Sequence, residues 1–365
     1  MLASIMLKDT AFINEVKYGG TCKSTKYEWI EHSLNACKFT GRTTGSTAIV
    51  ISTPATALLA GIMRTNCIIA PEGKEHLYKL TATTPTTATS NTVTIYGSTT
   101  HATCAAGTTF YVIASPKADV ADASTDISKA RTIRHNFTQV FERGIQIEKS
   151  REGIDLYAVA DELKRQTIDR TYEVKRELNL SMIWGKPLST MTDVAQLRTM
   201  MGIINYLRDP DFDTVNEDTQ VTNVNGALTK TALNNAVNSI YTAGGLDDRS
   251  NVCIVTSPKQ ARVIAVMEQS TIRRSSKEMV IGEYANKFKS DLGFEFDVKV
   301  ERNFPNDKLL FLDRARVAWM ALKGDNWSLE KMAKTGRYQG YQLSGQFTLK
   351  VENAEEAHHL LYNLS

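Results

Sequence analysis

The chain has 365 residues, 42% of them hydrophobic, enough to bury a sizeable core and too many for one small domain. Its 43 Lys and Arg against 40 Asp and Glu leave a formal charge of +3, which excludes a strongly basic or strongly acidic surface over the whole molecule. Five cysteines, Cys22, Cys37, Cys67, Cys104 and Cys253, are odd in number and form no CxxC pair, so the pattern argues against a zinc ribbon or a disulfide framework and for reduced thiols in a cytosolic setting.

At the N-terminus, MLASIMLKDTAFINEV is interrupted by Lys8, Asp9, Asn14 and Glu15 before a secretory core of ~7–15 residues can form. No run of ~18 apolar residues occurs anywhere. The expectation is a chain made soluble in a cytoplasm, with no membrane partner. Composition shifts near Phe39 and again near Ser128, and between them 21 of 90 residues are threonine while ten are charged. The runs TAIVIS, NTVTIYGS and TTFYVIAS are short and β-branched, and Gly45, Pro54, Gly97, Gly107 and Pro116 bound them, so this segment predicts a small β-barrel or sandwich.

From Arg131, RTIRHNFTQVFERGIQIEKS alternates apolar and polar residues, with Arg143-Gly144 as the one break. It predicts a two-stranded arm whose charged and amide side chains leave too little apolar surface to stand alone, so that it lies on a neighbour. Leu156 to Trp184 then keeps helical spacing without Gly or Pro, until Gly185-Lys186-Pro187 stops it. Such a helix is roughly 42 Å long. Asp161–Arg165, Glu162–Arg165 and Glu173–Arg176 are spaced as ion pairs on its wetted face.

The remainder predicts an α+β region. Helices are expected at Val194–Leu207, stopped by Pro210, and at Lys230–Tyr241, capped by Gly244-Gly245; Ser257 caps a third that begins with Pro258. Strands are expected at Asn251–Val255, Phe294–Val300, Leu309–Leu312 and Val317–Leu322, with a turn at Phe304-Pro305-Asn306-Asp307. Tyr341, Leu343, Phe347, Leu349 and Val351 alternate in a long closing strand, followed by a helix through Glu355–Leu361.

Motifs that carry chemistry do not emerge. There is no GxGxxG after a strand, no GxxxxGK[ST] and no GxSxG. His358 and His359 follow Glu355 and Glu356 at a spacing a metal could use, but no third ligand cluster accompanies them, which favours a solvated terminal helix. Cys22 with His32, or Cys37 with Glu31, could serve as thiol and base; lone cysteines are more often small core hydrophobes. The basic stretch Ile272–Lys277 lacks the aromatic residues that stack bases, and Trp29, Trp184, Trp319 and Trp327 are expected to anchor packing. No catalytic, cofactor-binding or metal residue is assigned.

The order of parts resembles the Hong Kong 97-type capsid fold of tailed-phage major head proteins, in the branch with a β-rich insertion before the E-loop. The residues that carry the resemblance are Asp9-Thr10-Ala11-Phe12 leading to Glu28-Trp29; Arg131-Thr132 with Asn136-Phe137-Thr138-Gln139-Val140-Phe141; and Asp161-Glu162-Leu163 rising to Glu177-Leu178. Met200-Met201-Gly202-Ile203, Tyr241 with Gly244-Gly245, Val255 with Pro258, and Leu310 with Asp313 continue it, and Ala333-Lys334-Thr335-Gly336 then precedes Leu349, Val351, Glu352 and Asn353.

The resemblance implies an α+β chain divided into an N-terminal arm (1–38), an inserted small all-β domain (39–128), the E-loop (129–155), the long spine helix of a peripheral domain (156–185), an axial domain (186–331), and a returning strand and helix (332–365). It implies a non-enzymatic major capsid protein whose pentamers and hexamers close an icosahedral head around double-stranded DNA, assembled in a bacterial cytoplasm. Implied partners are further copies of the chain, a portal, a separate scaffolding protein, a decoration protein and, through non-specific contacts, the packaged DNA. Arg131, Arg134, Asn136, Gln139, Phe141, Arg143 and Lys149 are the expected inter-subunit contacts of the E-loop arm. Loops near Asp209–Asn223 and Gln269–Lys277 are expected to face other copies, and the threonine-rich insertion to brace them. Some relatives weld subunits through a lysine–asparagine bond, but nothing fixes that geometry at Lys149, and no cross-link is assigned. Two alternatives stay open: a bacterial nanocompartment shell of the same fold, and a soluble hydrolase with a carbohydrate-binding β-module.

Overall fold

The computed structural model describes residues 10–32, 38–44, 48–53, 66–80, 91–95, 103–117, 119, 131–149, 162–187, 197–209, 220–247, 250–269, 287–334 and 336–365. They fall into two compact units: Met1–Trp29 with Ile133–Ser365, and Ile30–Thr132.

The chain opens with helix α1 (Ala11–Glu15) and strands β1 (Lys17–Cys22) and β2 (Lys26–Glu31). The second unit follows, with β3 (Lys38–Thr44), β4 (Ala48–Thr53), β5 (Ile68–Pro71), β6 (Tyr78–Leu80), β7 (Asn91–Ile95) and β8 (Thr108–Ala114). These six close into an antiparallel barrel in the order β3-β4-β7-β6-β5-β8. Phe39, Ile49, Cys67, Ile69, Tyr78, Cys104 and Phe110 fill it. Phe39 stacks on Phe110 at 5.2 Å, since alternate residues of a strand point to the same side. Closure leaves no strand edge to aggregate.

Returning to the first unit, β9 (Thr132–Phe137) and β10 (Gln139–Glu148) lead to helix α2 (Glu162–Trp184) and the short α3 (Ile203–Arg208). Then come β11 (Val221–Gly226), α4 (Lys230–Ala243), β12 (Val252–Thr256), α5 (Pro258–Gln269), β13 (Lys287–Lys289), β14 (Glu295–Val300), β15 (Leu309–Asp313), β16 (Val317–Leu322), β17 (Ser328–Lys331), β18 (Tyr338–Val351), α6 (Ala354–Ala357) and β19 (His359–Leu364). α4 has the expected C-terminal cap, Gly244 in the left-handed conformation at φ 97°, and the structure adds an N-terminal one, Thr229 Oγ1 accepting from Ala232 N at 3.1 Å. At α5, Ser257 Oγ accepts from Gln260 N, and Pro258 occupies a position that needs no donor.

Two sheets organise this unit. One runs β1-β16-β18-β10 with β17 also on β18; the other runs β11-β19-β15-β12-β14-β13. The second sheet separates two cores by strict alternation. Cys253, Val255, Leu310, Leu312 and Leu360 enter the core that holds Val174, Leu178 and Met182 of α2, while Ile254, Leu309, Phe311 and Leu361 enter the core under α4 and α5. Each such fully buried side chain contributes about 1.5–3 kcal/mol relative to exposure.

Several expectations are corrected. The arm is not a self-paired hairpin and has no break at Arg143-Gly144. β9 pairs with β2, and β10 runs unbroken through Gly144, pairing with β18 of the same chain from Gln139↔Phe347 to Glu148↔Tyr338. Its apolar phase, Phe141, Ile145 and Ile147, is buried by that pairing and by α2.

The helix expected at Val194–Leu207 is helical only over Ile203–Arg208; residues 188–196 lie outside the described part. Leu197–Gly202 is non-helical because its backbone is held elsewhere: Met200 N donates to Gln139 Oε1, Met201 N to Asn136 Oδ1, and Gly202 N to Gly185 O. A Cβ on Gly202 would stand 2.6 Å from Gly185 N, so this close approach demands glycine.

The closing helix is also mostly a strand. After one helical turn, β19 runs as an inner strand of the six-stranded sheet with Leu360 and Leu361 buried on opposite faces. Trp184, expected as a packing anchor, is exposed: its indole N–H donates to Asn303 O and Lys308 sits over its ring. On α2, Glu173 pairs with Arg170 rather than Arg176, and Arg165 pairs with Glu162 and Asp169. The start of the helix before Glu162, Asp161, Cys37, the basic stretch Ile272–Lys277 and the greater part of the two expected loops lie outside the described residues; Val221–Asn223 of the first loop belongs to β11.

Candidate subunit interface

The seven expected contact residues sit on or beside β9 and β10, and the strand period sorts them. Arg134, Asn136 and Phe141 point inward and are buried. Arg134 ion-pairs with Glu355. Asn136 donates through Nδ2 to Met201 O at 3.0 Å and Leu349 O at 2.7 Å, and its Oδ1 accepts from Met201 N at 2.9 Å and Phe137 N at 2.8 Å. Phe141 packs near Phe347. Gln139 is half-buried, its Oε1 holding Met200 N at 3.1 Å. These four therefore make their contacts within their own chain.

Arg143 is half-exposed and tied to α2 through Glu177 and, at 3.8 Å, Glu173. Arg131 and Lys149 are exposed, although Lys149 N donates to Arg337 O at 3.0 Å. The outward phase of the same segment carries residues that sequence reasoning did not select. Ile133 is 63% exposed and Val140 is 51% exposed, and Glu142, Gln146 and Glu148 continue outward along β10. Beside the strand, Gly144, Ile145 and Gln146 form one wall of a cleft of about 510 Å³, and Arg165, Gln166, Asp169, Arg170 and Glu173 of α2 form the other.

Elsewhere the chemistry is that of a packed interior. His358 Nδ1 accepts from Asp313 N at 3.1 Å, while His359 Nδ1 lies 3.0 Å from Gln220 Oε1 and its Nε2 2.9 Å from Thr222 Oγ1. Burial lowers the pKa of both imidazoles to about 4, for His358 against the pull of Asp313 and with Arg316 adding to the shift. Both are buried, not on a solvated helix. Cys22, Cys67, Cys104 and Cys253 are buried free thiols, and burial pushes Cys253 up to about 11, opposite to a reactive thiolate. Among the described residues no group of three or more His, Cys, Asp or Glu could hold a metal, and no helix is long and apolar enough to cross a membrane.

What such a chain does is answered by a family model. The model described as SU10 major capsid protein matches residues 1–365. The chain belongs to that family. As an SU10-family major capsid protein it is a structural protein of the virion capsid, a phage shell built from many copies.

Among solved structures the chain is similar to the capsid of an empty GTA particle computed with C5 symmetry, with a TM-score of 0.52 and 10% identity over 100% of this chain and 93% of that one. It is similar also to the capsid of the native GTA particle, with a TM-score of 0.53 and 8% identity over 100% and 93%. A chain of Mycobacterium phage Cain gives a TM-score of 0.46 and 11% identity over 99% and 92%. At such low identity the two GTA likenesses bear on the fold, and it is the Hong Kong 97-type capsid fold. No curated protein sequence matches. Family membership displaces both the hydrolase and the nanocompartment readings of this capsid protein.

Proposed function

We propose that this capsid protein gathers into pentamers and hexamers that close an icosahedral head around double-stranded DNA, assembled in the host cytoplasm with a portal, a separate scaffolding protein and a decoration protein. The observation that carries the reading is the family match over the full 365 residues. In this reading 129–155 is the E-loop, 156–185 the spine helix, 186–331 the axial domain and 332–365 the return to the peripheral domain, with 1–38 as the arm and 39–128 as a bracing insertion. A shell from one chain needs heterologous contacts that close without identical angles, and extended strands tolerate such variation.

Within the arm, contact with other copies falls to Arg131, Arg143 and Lys149 and to the outward Ile133 and Val140, because Arg134, Asn136, Gln139 and Phe141 are engaged within the subunit. The chain acts without catalysis. Its membership of a capsid family supports this. Expression of the chain with and without its scaffold, followed by negative-stain microscopy, tests the proposal. Hollow closed particles support it, and persistent monomers under both conditions overturn it.

A further inference from the structure

Strand β11 lies at the edge of the six-stranded sheet, and its ladder with β19 is interrupted. Val221, Thr222 and Asn223 pair with Leu360, Leu361 and Tyr362; the register then shifts, and Gly226 pairs with Leu364. Val224 and Asn225 fall in the shift, outside the paired register. Asn225 is exposed and takes the left-handed conformation at φ 47°. Glycine follows it, and this is the one Asn-Gly step in the 365 residues. Among the described residues Asn66, Asn353 and Asn363 are left-handed too, but Cys67, Ala354 and Leu364 follow them, each with a Cβ beside the next amide nitrogen. Asn363, exposed and at φ 57°, shares every one of these features with Asn225 except the glycine.

We propose that Asn225 is a site of spontaneous deamidation in the folded chain, through a ring closed with Gly226. The Gly226 backbone nitrogen loses its proton and attacks Asn225 Cγ; the Cγ–Nδ2 bond breaks, Nδ2 leaves as ammonia, and a five-membered imide remains. Water then opens the ring at either carbonyl. Opening at Cγ gives aspartate, and opening at the main-chain carbonyl gives isoaspartate, whose backbone runs through Cβ and Cγ. One water is consumed, one ammonia is released, and no electrons change hands. Glycine favours closure because it has no Cβ to crowd the approach and tolerates the backbone rotation the ring demands. The Gly226 amide must leave its pairing with β19 to attack, and such an opening costs least at the end of an edge strand whose ladder is already interrupted. The product places a carboxylate on a strand, VTNVNG, that carries no charge, and isoaspartate lengthens the backbone ahead of Gly226 and so displaces its pairing with Leu364. This chemistry is a property of the subunit and does not depend on the shell reading.

The test ages the purified full chain in mildly alkaline and mildly acidic buffer, beside a sample unfolded in urea. Each is digested and compared with an unaged sample by mass spectrometry, with fragmentation that separates isoaspartate from aspartate. The expected result is a gain of one mass unit that localises to Asn225 in the folded chain, grows with time and grows faster in alkali, with both products present. Asn66, Asn353 and Asn363 are expected to stay unmodified over the same period. Gly226→Ala fits the space, since a Cβ there would meet Val224 O at an ordinary 3.9 Å, so the variant keeps the fold. It is expected to slow the conversion at least about tenfold through a higher barrier to ring closure. Conversion in the urea sample alone overturns the proposal, because the fold would then protect the site. So does conversion of the other three left-handed asparagines at the same rate, and so does a Gly226→Ala chain that ages as fast as the wild type.

Discussion

Asn136 makes four hydrogen bonds with one side chain and joins three segments distant in sequence: β9, the turn at Met201 and β18. Truncation would remove all four bonds and leave two backbone carbonyls and two backbone amides without this partner, a loss that water and local relaxation offset in part. Asn136→Ala is expected to lower stability by roughly 2–4 kcal/mol, seen as a lower urea midpoint with unchanged slope; a midpoint within error of wild type would mean that water replaces the amide.

The two buried histidines make stability depend on pH with a definite sign. In the folded chain both titrate at about 4, against ~6.5 for a free imidazole. Between those values the unfolded chain binds more protons, so the stabilisation is fully present above about pH 6.5 and is lost as pH falls toward about 4. Urea midpoints at three pH values in that window should fall stepwise with acidification. His359→Gln, which can keep a bond to Thr222, should flatten part of the slope.

Among elements, β10 is informative because its partner is far away in sequence. Its alternation was legible, but whether the apolar phase met another subunit or this chain was not, since β18 lies about two hundred residues downstream and no local signal names it. β19 was unreadable for another reason. A strand buried on both faces shows a continuous apolar run, which periodicity alone cannot separate from a buried helix, and Leu360-Leu361 is such a run. By contrast α4, α5 and β16 were legible because caps, turns and alternation are local. Along β10 the same division holds: Val140 was recognisable as apolar, yet only the pairing with β18 and the packing of α2 fix which phase faces outward.

Two glycines test the packing around these elements. Gly202→Ala would place a methyl against backbone atoms 2.6–2.8 Å away that cannot yield, and is expected to unfold or severely destabilise the chain. Gly144→Ala meets nothing within 4 Å and should leave the thermal midpoint within a degree or two, roughly the ±0.5 kcal/mol of a surface change. Deleting Asn136–Ile147 should abolish folding altogether, measured by loss of circular dichroism, because the segment is core as well as surface.

For the whole molecule, a net charge of +3 lets many copies approach without strong self-repulsion, and the fold supplies extended outward strands on a rigid two-sheet unit. Replacing the outward residues together, Ile133→Asp with Val140→Asp, should leave the circular dichroism of the subunit intact and remove closed particles. The most direct measurement is electron microscopy of the wild-type chain expressed with its scaffold, beside this double variant. Closed hollow shells with five- and six-fold clusters for the wild type, and folded unassembled subunits for the variant, are the expected result. Wild-type chains that stay monomeric, or variant chains that still close into shells, would contradict it.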